Sequence, residues 1–206
     1  MDEDIKAIQT FIPEEVDSKD KSDVGVTGRT IMVDGSSYIF EIERRKAIRW
    51  TKKGIDSGMY SRELMKNVEL AIQKQSSSSI TTMDLMKVLN EAFSNTKAKG
   101  SSTACICLFC DDTLHAVNVG DSGFVVIREG IIVYKSKVQQ SRFNCPFQLG
   151  NGSTSDDPNI AEKISVTVIA GDVTVLGTDG LFDNVHDFEL EAIVNLGVDL
   201  WESDVA

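Results

Sequence analysis

The sequence predicts an α+β fold, a layered sandwich of antiparallel sheets covered by helices. After a β-favouring stretch over residues 31–42, two segments with helical periodicity are followed by short β-favouring runs separated by turn residues, and a further helical segment comes last. Because helices and strands are grouped rather than alternating, a parallel sheet built from βαβ units is disfavoured. At 206 residues, the chain is long enough for one sizeable core and short for two, so we expect one domain.

The first two helical segments each carry one apolar face. Apolar residues recur at helical spacing over residues 64–72, after Ser61 as a candidate N-cap. They recur again over residues 85–93, where Thr81 and Asp84 have the spacing of a capping box. We expect both apolar faces to pack on a sheet.

The β-favouring runs are short and bounded by turn residues. Residues 31–42 predict a hairpin that turns at Asp34-Gly35. Four runs within residues 102–134 predict an antiparallel meander, and residues 164–178 predict a second hairpin. Asp187 is a candidate cap for the last helix.

Composition disfavours some classes of function and location. A formal net charge of -11 repels nucleic-acid phosphates and anionic lipid head groups. No apolar run approaches the roughly 18 residues of a membrane-spanning helix, and the first residues are acidic, unlike a targeting peptide. We therefore expect an intracellular, cytoplasmic monomer without a transit peptide. Residues 1–28 predict a loosely ordered polar tail, and residues 29–206 the domain.

Three of the four cysteines lie in one apolar run. Residues two apart in a strand share a face, so Cys105, Cys107 and Cys110 are expected to be reduced and buried. A zinc site is disfavoured because only two histidines are available and neither stands at a suitable spacing.

Two aspartates follow apolar strand-like runs and adjoin glycine. Asp121 lies in the sequence NVGDSG, and Asp179 in LGTDGLFDN. A strand end holds such a carboxylate rigidly, while the glycine leaves room for an ion and a phosphate. Carboxylate oxygens suit Mg²⁺ or Mn²⁺. Either motif alone is more often a simple turn.

Taken together, the ordered motifs resemble the PPM-type (type 2C) metal-dependent serine/threonine protein phosphatases, in particular the branch known from mitochondrial and plastid members. The resemblance extends from about Trp50 to Leu190. It is carried by residues 54–58, 60–65, 100–104, 118–123, 139–149 and 177–184. It implies an α/β/β/α sandwich, incomplete in this chain, that hydrolyses phosphoserine and phosphothreonine in phosphorylated protein substrates.

The resemblance also implies site residues. In the family, two Mg²⁺ or Mn²⁺ ions activate a shared water for in-line attack on phosphorus. Asp179 corresponds to the central metal ligand, and Asp121 and Gly180 to supporting residues. Asp183 either supports the metal ligands or begins a helix.

The sequence departs from the family pattern at both ends. The family carries an Asp-Gly-x-Gly-Gly motif just before Trp50, whereas residues 43–49 here contain four cations, which repel divalent metals. The family's last aspartate pair is expected downstream of the helix after Asn184 and is absent from the sequence, which ends at Ala206. Asp34-Gly35 and Asp156-Asp157 are interpreted as turns.

The cations before Trp50 suggest a different contact. Arg44, Arg45 and Arg49, with Lys46, either bind a phosphate directly or form a solvated face. Three functions therefore stay open: an active phosphatase with weak metal binding and low turnover, a catalytically impaired pseudophosphatase that binds phosphorylated or regulatory proteins, and a truncated, non-functional isoform.

Overall fold

The computed structural model describes most of the chain in separate stretches. Backbone is described for residues 25–33, 36–44, 58–75 and 84–205, and side chains for residues 58–74 and 84–197. Most of the predicted tail lies outside these stretches, although its last residues, 25–28, already belong to the first strand. The predicted hairpin turn at Asp34-Gly35 also lies outside the described residues.

The described residues form twelve strands and four helices. The strands are β1 (Gly25–Val33), β2 (Ser36–Arg44), β3 (Ser101–Ser102), β4 (Ala104–Cys110), β5 (Thr113–Val119), β6 (Gly123–Arg128), β7 (Ile131–Lys135), β8 (Gln140–Arg142), β9 (Cys145–Pro146), β10 (Leu149–Gly150), β11 (Glu162–Thr167) and β12 (Val173–Gly177). The helices are α1 (Gly58–Gln75), α2 (Leu85–Asn95), α3 (Asp179–Phe182) and α4 (Asp187–Val205). None of the described helices is both long and apolar enough to cross a membrane.

The strands form two main antiparallel sheets. The first has the spatial order β1-β2-β4-β5-β11, and the second has the order β12-β6-β7. Two short pairs, β3 with β10 and β8 with β9, lie outside them. The predicted first hairpin is confirmed, because β1 and β2 pair along their full lengths.

Buried apolar side chains define the order of the layers. The first core lies between α1, α2 and the first sheet and includes Leu64, Val68, Ile72, Leu89, Ile106 and Val117. The second lies between the two sheets and includes Cys105, Cys107, Leu114, Ala116, Phe124 and Val126. The third lies between the second sheet and α4 and includes Val125, Ile127 and Leu190. Alternate residues of β4 and β6 therefore face different cores, and the α+β sandwich of layers α/β/β/α is confirmed.

The predicted meander is confirmed where β4 pairs with β5 and β6 pairs with β7, but its middle connection and the second hairpin are wrong. β5 and β6 lie in different sheets, and residues 120–122 carry the chain across. β11 pairs with β5 and β12 pairs with β6, so residues 168–172 form a second crossing rather than a hairpin turn. Turn residues predict that a strand ends but do not specify its next partner. The partner is chosen by which face each strand can bury.

The two crossings lie at opposite ends of the sandwich. The first follows Val119, at the end of β5. In the second, the amide of Val168 donates to the carbonyl of Asp112, in the turn that precedes β5. A bidentate ion pair stabilises the second crossing. Nε and Nη2 of Arg128 each donate to a carboxylate oxygen of Asp172 at 2.8 Å.

The helix caps differ from the sequence prediction. α1 already begins at Gly58, so Ser61 is buried in the first turn, where its hydroxyl donates to the Gly58 carbonyl. Asp84 is itself the N-cap of α2, accepting from the Met86 amide at 2.9 Å, and Thr81 lies outside the described residues. An acid can serve either as cap or as the third helical residue of a capping box, and spacing alone does not separate the two.

The cap of α4 is also displaced by one residue. His186, not Asp187, occupies the N-cap position, because its carbonyl accepts from the amides of Glu189 and Leu190. The Glu189 carboxylate reaches back to the His186 amide at 2.9 Å. This is the reciprocal bond of a capping box, so the helix start is fixed by Glu189 rather than by Asp187.

The cysteine prediction is confirmed for two residues. Cys105 and Cys107 are buried free thiols between the sheets, with their sulfur atoms 4.0 Å apart. Cys110 is also a free thiol but is only partly buried, on the helix-facing side of β4. Its position three residues beyond Cys107 places it on the opposite face of the strand.

Candidate functional site

Asp179 stands where the chain changes from strand to helix. β12 ends at Gly177, and Thr178, which is buried, caps α3 by accepting from the Gly180 amide at 3.2 Å. Asp179 is the first residue of that short helix. Asp183 ends the helix, its amide donating to the Asp179 carbonyl at 2.8 Å, so the alternative that Asp183 begins a helix is wrong.

Glycines allow this sharp change of direction. A Cβ added to Gly177 would lie 2.6 Å from Leu181 Cδ2, so only glycine lets α3 fold back on the end of β12. A Cβ on Gly180 would lie 3.2 Å from the Thr178 hydroxyl. The tight turn at Gly177 therefore places Asp179 at the end of the sheet. The predicted room for an ion and a phosphate beside these glycines stays a prediction.

Asp121 lies in the crossing between the two sheets. Gly120 precedes it with φ of 101°, a conformation that favours glycine, and a Cβ there would lie 2.5 Å from Thr103 Cγ2. Gln139 forms two hydrogen bonds with Gly120. Its backbone amide donates to the Gly120 carbonyl at 2.9 Å, and its side-chain oxygen accepts from the Gly120 amide at 3.1 Å. The crossing that carries Asp121 is therefore tied to the chain segment after β7.

Strand register brings the two aspartates to one edge of the sandwich. Gly123 pairs with Gly177 in antiparallel β6 and β12. Asp121 lies two residues before Gly123 and Asp179 two residues after Gly177, so both stand beyond the same end of the second sheet. The sequence predicted each strand end separately. The pairing of β6 with β12 places Asp121 and Asp179 at the same end of the sheet.

The predicted phosphate-binding arginines are only partly described. Arg44 is the last residue of β2, and Glu41, three residues earlier, pairs with Cys105 at the start of β4. β4 begins where β5 ends, since Ala104 pairs with Val119. Arg44 therefore lies at the same edge as Asp121, while Arg45, Lys46 and Arg49 lie outside the described residues.

Asn118 was not singled out from the sequence. Its side chain is fully buried on the face of β5 that points toward the second sheet, the same face as Leu114 and Ala116. Within the described part of the chain, neither its amide nitrogen nor its oxygen has a hydrogen-bond partner. A buried amide in that state calls for a water or ligand beside it. The feature of the sequence that could have identified Asn118 is a polar residue at an inward-facing position of an otherwise apolar strand.

A small cavity opens beside Asp121. Its volume is about 20 Å³, which holds roughly one water molecule. Its lining consists of Asp121, Ser122, Gly123, Lys135, Ser136, Lys137, Val138 and Phe182. Sequence reasoning missed both lysines, because exposed cations at a strand end and in the loop after it carry no pattern that marks them as part of a site.

A wider depression of about 600 Å³ adjoins the cavity. Phe182 and Lys135 line both spaces and separate them. The Lys135 ammonium lies 2.5 Å from Asp187 Oδ1 and 5.5 Å from the centre of the Phe182 ring. Lys135 is therefore held by an ion pair and a cation–π contact.

The second acidic pair, Asp156-Asp157, makes hydrogen bonds to nearby backbone amides. Asp156 accepts from the Gln148 amide at 2.9 Å, and Asp157 caps a short 3₁₀ helix by accepting from the Asn159 amide at 2.7 Å. These bonds support the interpretation of Asp156-Asp157 as turn residues.

Comparisons with known proteins agree with this architecture. No family model matches the chain. The chain is 47% identical over 145 residues to "Probable protein phosphatase 2C 80" of Arabidopsis thaliana, an alignment that covers 70% of this chain and 34% of the relative. It is 50% identical over 145 residues to "Probable protein phosphatase 2C 55" of the same plant, covering 70% and 30%. With "Protein phosphatase PTC7 homolog fig" of Drosophila willistoni it shares 39% over 152 residues, covering 67% and 47%.

Solved structures show the same fold. The photosystem II phosphatase PBCP superposes with a TM-score of 0.75 at 26% identity, covering 82% of this chain and 65% of that one. The catalytic domain of the serine/threonine phosphatase PstP, in complex with two manganese ions, superposes with a TM-score of 0.53 at 14% identity, covering 82% and 83%. The paired sheets, flanking helices and strand-end aspartates thus define a type 2C phosphatase-like domain.

The chain belongs to the PPM, or type 2C, family of protein phosphatases. It spans about a third of the length of the two Arabidopsis relatives that it matches. The resemblance stated from the sequence motifs is confirmed.

The described residues provide carboxylate ligands of the type that the metal ions of this family require. Asp121 and Asp179 offer oxygen ligands suited to hard divalent cations. However, no group of three or more potential ligands gathers anywhere in the described residues. The donor chemistry suits a divalent cation, but the described donors are too few for a two-ion site.

Proposed function

We propose that this chain is part of a metal-dependent protein phosphatase that hydrolyses phosphoserine and phosphothreonine in phosphorylated protein substrates. One observation carries the proposal: the Gly123–Gly177 pairing places Asp121 and Asp179 beyond the same sheet end. Family membership supports the reaction type, because the curated relatives are named protein phosphatases.

The residues of this chain have distinct proposed roles. Asp179 holds a Mg²⁺ or Mn²⁺ ion, and the Thr178 cap with Gly180 fixes the direction of its carboxylate. Asp121 supports the site and is positioned by the two bonds of Gln139 to Gly120. A bound divalent cation would supply Lewis-acid stabilisation of charge on the phosphoryl oxygens.

A second candidate function is a pseudophosphatase that binds phosphorylated proteins without turnover. The lack of a three-ligand cluster among the described residues favours it. So does the position of Arg44, a cation, at the same edge as the two aspartates. A phosphate contacted by arginine in place of a metal is bound rather than hydrolysed.

Hydrolysis of a phosphothreonine peptide by the purified chain tests the proposal. We expect slow, manganese-dependent phosphate release that falls at least roughly tenfold in Asp179→Ala, since a single lost interaction with the reacting group is commonly worth that much. Glu91→Ala is the matched control, because it removes a partly exposed carboxylate paired with Lys74 in the helix layer. It should leave the rate unchanged.

The result also separates the two candidates. Peptide binding without phosphate release, unaffected by a chelator and by Asp179→Ala, would establish the binding module instead. The preference between Mg²⁺ and Mn²⁺, the monomeric state and the intracellular location stay predictions.

A further inference from the structure

Two lysines lie on the wall of the small cavity beside Asp121, and the proposed function gives neither a role. Lys135 ends β7, and Lys137 follows two residues later. Residues between and after them are tied to the site. The Ser136 amide donates to the Phe124 carbonyl at 2.9 Å, and its hydroxyl accepts from the Phe124 amide at 2.9 Å.

Lys137 is held at this position from both sides. Ser136 is fastened to β6 on one side, and Gln139 is fastened to Gly120 on the other. Only Val138 separates Lys137 from the second fastening point. The backbone of Lys137 is therefore fixed relative to Asp121, although its side chain is exposed.

The two lysines differ in the partners that their ammonium groups already contact. Lys135 pairs with Asp187 and lies over the Phe182 ring. Lys137 forms no salt bridge with any carboxylate whose side chain the structure describes. Among the described residues, the ammonium of Lys137 is therefore available to an anionic ligand at the site edge.

This positive charge matters because the chain as a whole is acidic. A formal net charge of -11 repels a phosphorylated, acidic peptide at long range. A local cation beside the site would counter that repulsion and favour anionic ligands over neutral ones. The cavity admits about one water molecule, so it accommodates a single anionic oxygen atom and is too small for a whole phosphate group.

We propose that Lys137 is a specificity-determining residue that binds an acidic side chain next to the phosphorylated residue of a protein substrate. The inference rests on the proposed function for the class of ligand, but peptide binding tests it without turnover. Lys137 could contact an oxygen of either a flanking carboxylate or the phosphate, and we assign the contact to the carboxylate.

Fluorescence anisotropy with labelled phosphothreonine peptides tests this assignment, in the presence of a chelator to prevent hydrolysis. One peptide carries aspartates beside the phosphothreonine, and the other carries alanines. We expect Lys137→Glu to weaken binding of the acidic peptide roughly tenfold and that of the neutral one less than about twofold. Lys137→Arg should retain the preference, because it keeps the positive charge.

Lys66→Glu is the matched control. Lys66 is an exposed lysine of α1, in the helix layer on the far side of the first sheet, and the same charge change there should not alter the preference. Equal melting temperatures of the variants establish that each is folded.

Three results would overturn the assignment. The first is an effect of Lys137→Glu on the preference that is no larger than that of Lys66→Glu. The second is equal weakening of both peptides by Lys137→Glu, which would place the phosphate itself on Lys137. Failure of the acidic peptide to bind the wild-type chain also contradicts it. If the charge-dependent preference is present but phosphate release is absent with manganese, the proposed catalytic function fails while the role of Lys137 stands.

Discussion

At the scale of single residues, glycine positions define the geometry of the candidate site. Gly177 and Gly120 are required for close approach, and Gly120 also for its positive φ. By contrast, Gly197 in α4 has no neighbouring atom within 4 Å of an added Cβ. The same substitution should therefore have opposite effects at Gly177 and Gly197.

We expect Gly177→Ala to destabilise the protein by about 1–3 kcal/mol, because its methyl group would overlap Leu181 at the turn into α3. Gly197→Ala should stabilise it by about 0.5–1 kcal/mol, since alanine favours the helix interior. Urea denaturation measures both free energies of unfolding. Equal changes of the same sign would contradict the packing of α3 against the end of β12.

Two partly buried thiols differ in their expected reactivity. The Ser141 hydroxyl, which also donates to the Cys145 carbonyl at 3.2 Å, lowers the pKa of the Cys145 thiol, and nearby Arg142 acts in the same direction. Burial, with the charge of Asp111, raises the pKa of Cys110. Cys145 should therefore reach its reactive thiolate form at a lower pH than Cys110.

The pH dependence of iodoacetamide labelling, followed site by site by mass spectrometry, measures this difference. We expect Ser141→Ala to move the labelling midpoint of Cys145 to higher pH and to leave Cys110 unchanged. A Cys145 midpoint that is insensitive to Ser141 would rule out the hydrogen bond as the cause.

At the scale of elements, helices were better predicted than strand pairing. The apolar faces of α1 and α2 follow from spacing within one segment, and residues such as Leu64 and Leu89 are buried as expected. The partners of β6 and β11 depend on contacts between distant segments, which no local pattern contains. Sequence reasoning therefore gave the strand ends that carry Asp121 and Asp179, but not the register that brings them together.

The capping of α2 provides a direct test of one correction. We expect Asp84→Ala to destabilise the protein by about 1 kcal/mol, because the Met86 amide loses its acceptor. Thr81→Ala should change stability by less than about 0.5 kcal/mol. Thermal unfolding followed by circular dichroism compares the two variants, and a larger loss in Thr81→Ala would restore the capping box that the sequence suggested.

At the scale of the whole molecule, metal binding should appear as a change in stability. A cation that binds the folded state stabilises it by about 1.4 kcal/mol when present at roughly ten times its dissociation constant. For a chain of this size we expect the melting temperature to rise by about 3–5 °C with millimolar Mn²⁺. The rise should vanish in Asp179→Ala and persist in Glu91→Ala. An equal rise in all three proteins would place the ion elsewhere.

The two crossings between the sheets have a mechanical consequence. Because the layers are joined at opposite ends, by residues 120–122 and 168–172, neither sheet can slide along the other without breaking a join. Relative motion of the two sheets at the end that carries Asp121 and Asp179 is therefore restrained by backbone connections at both ends of the sandwich. Discrimination among ligands then depends on the side chains at that end more than on movement of the sheets.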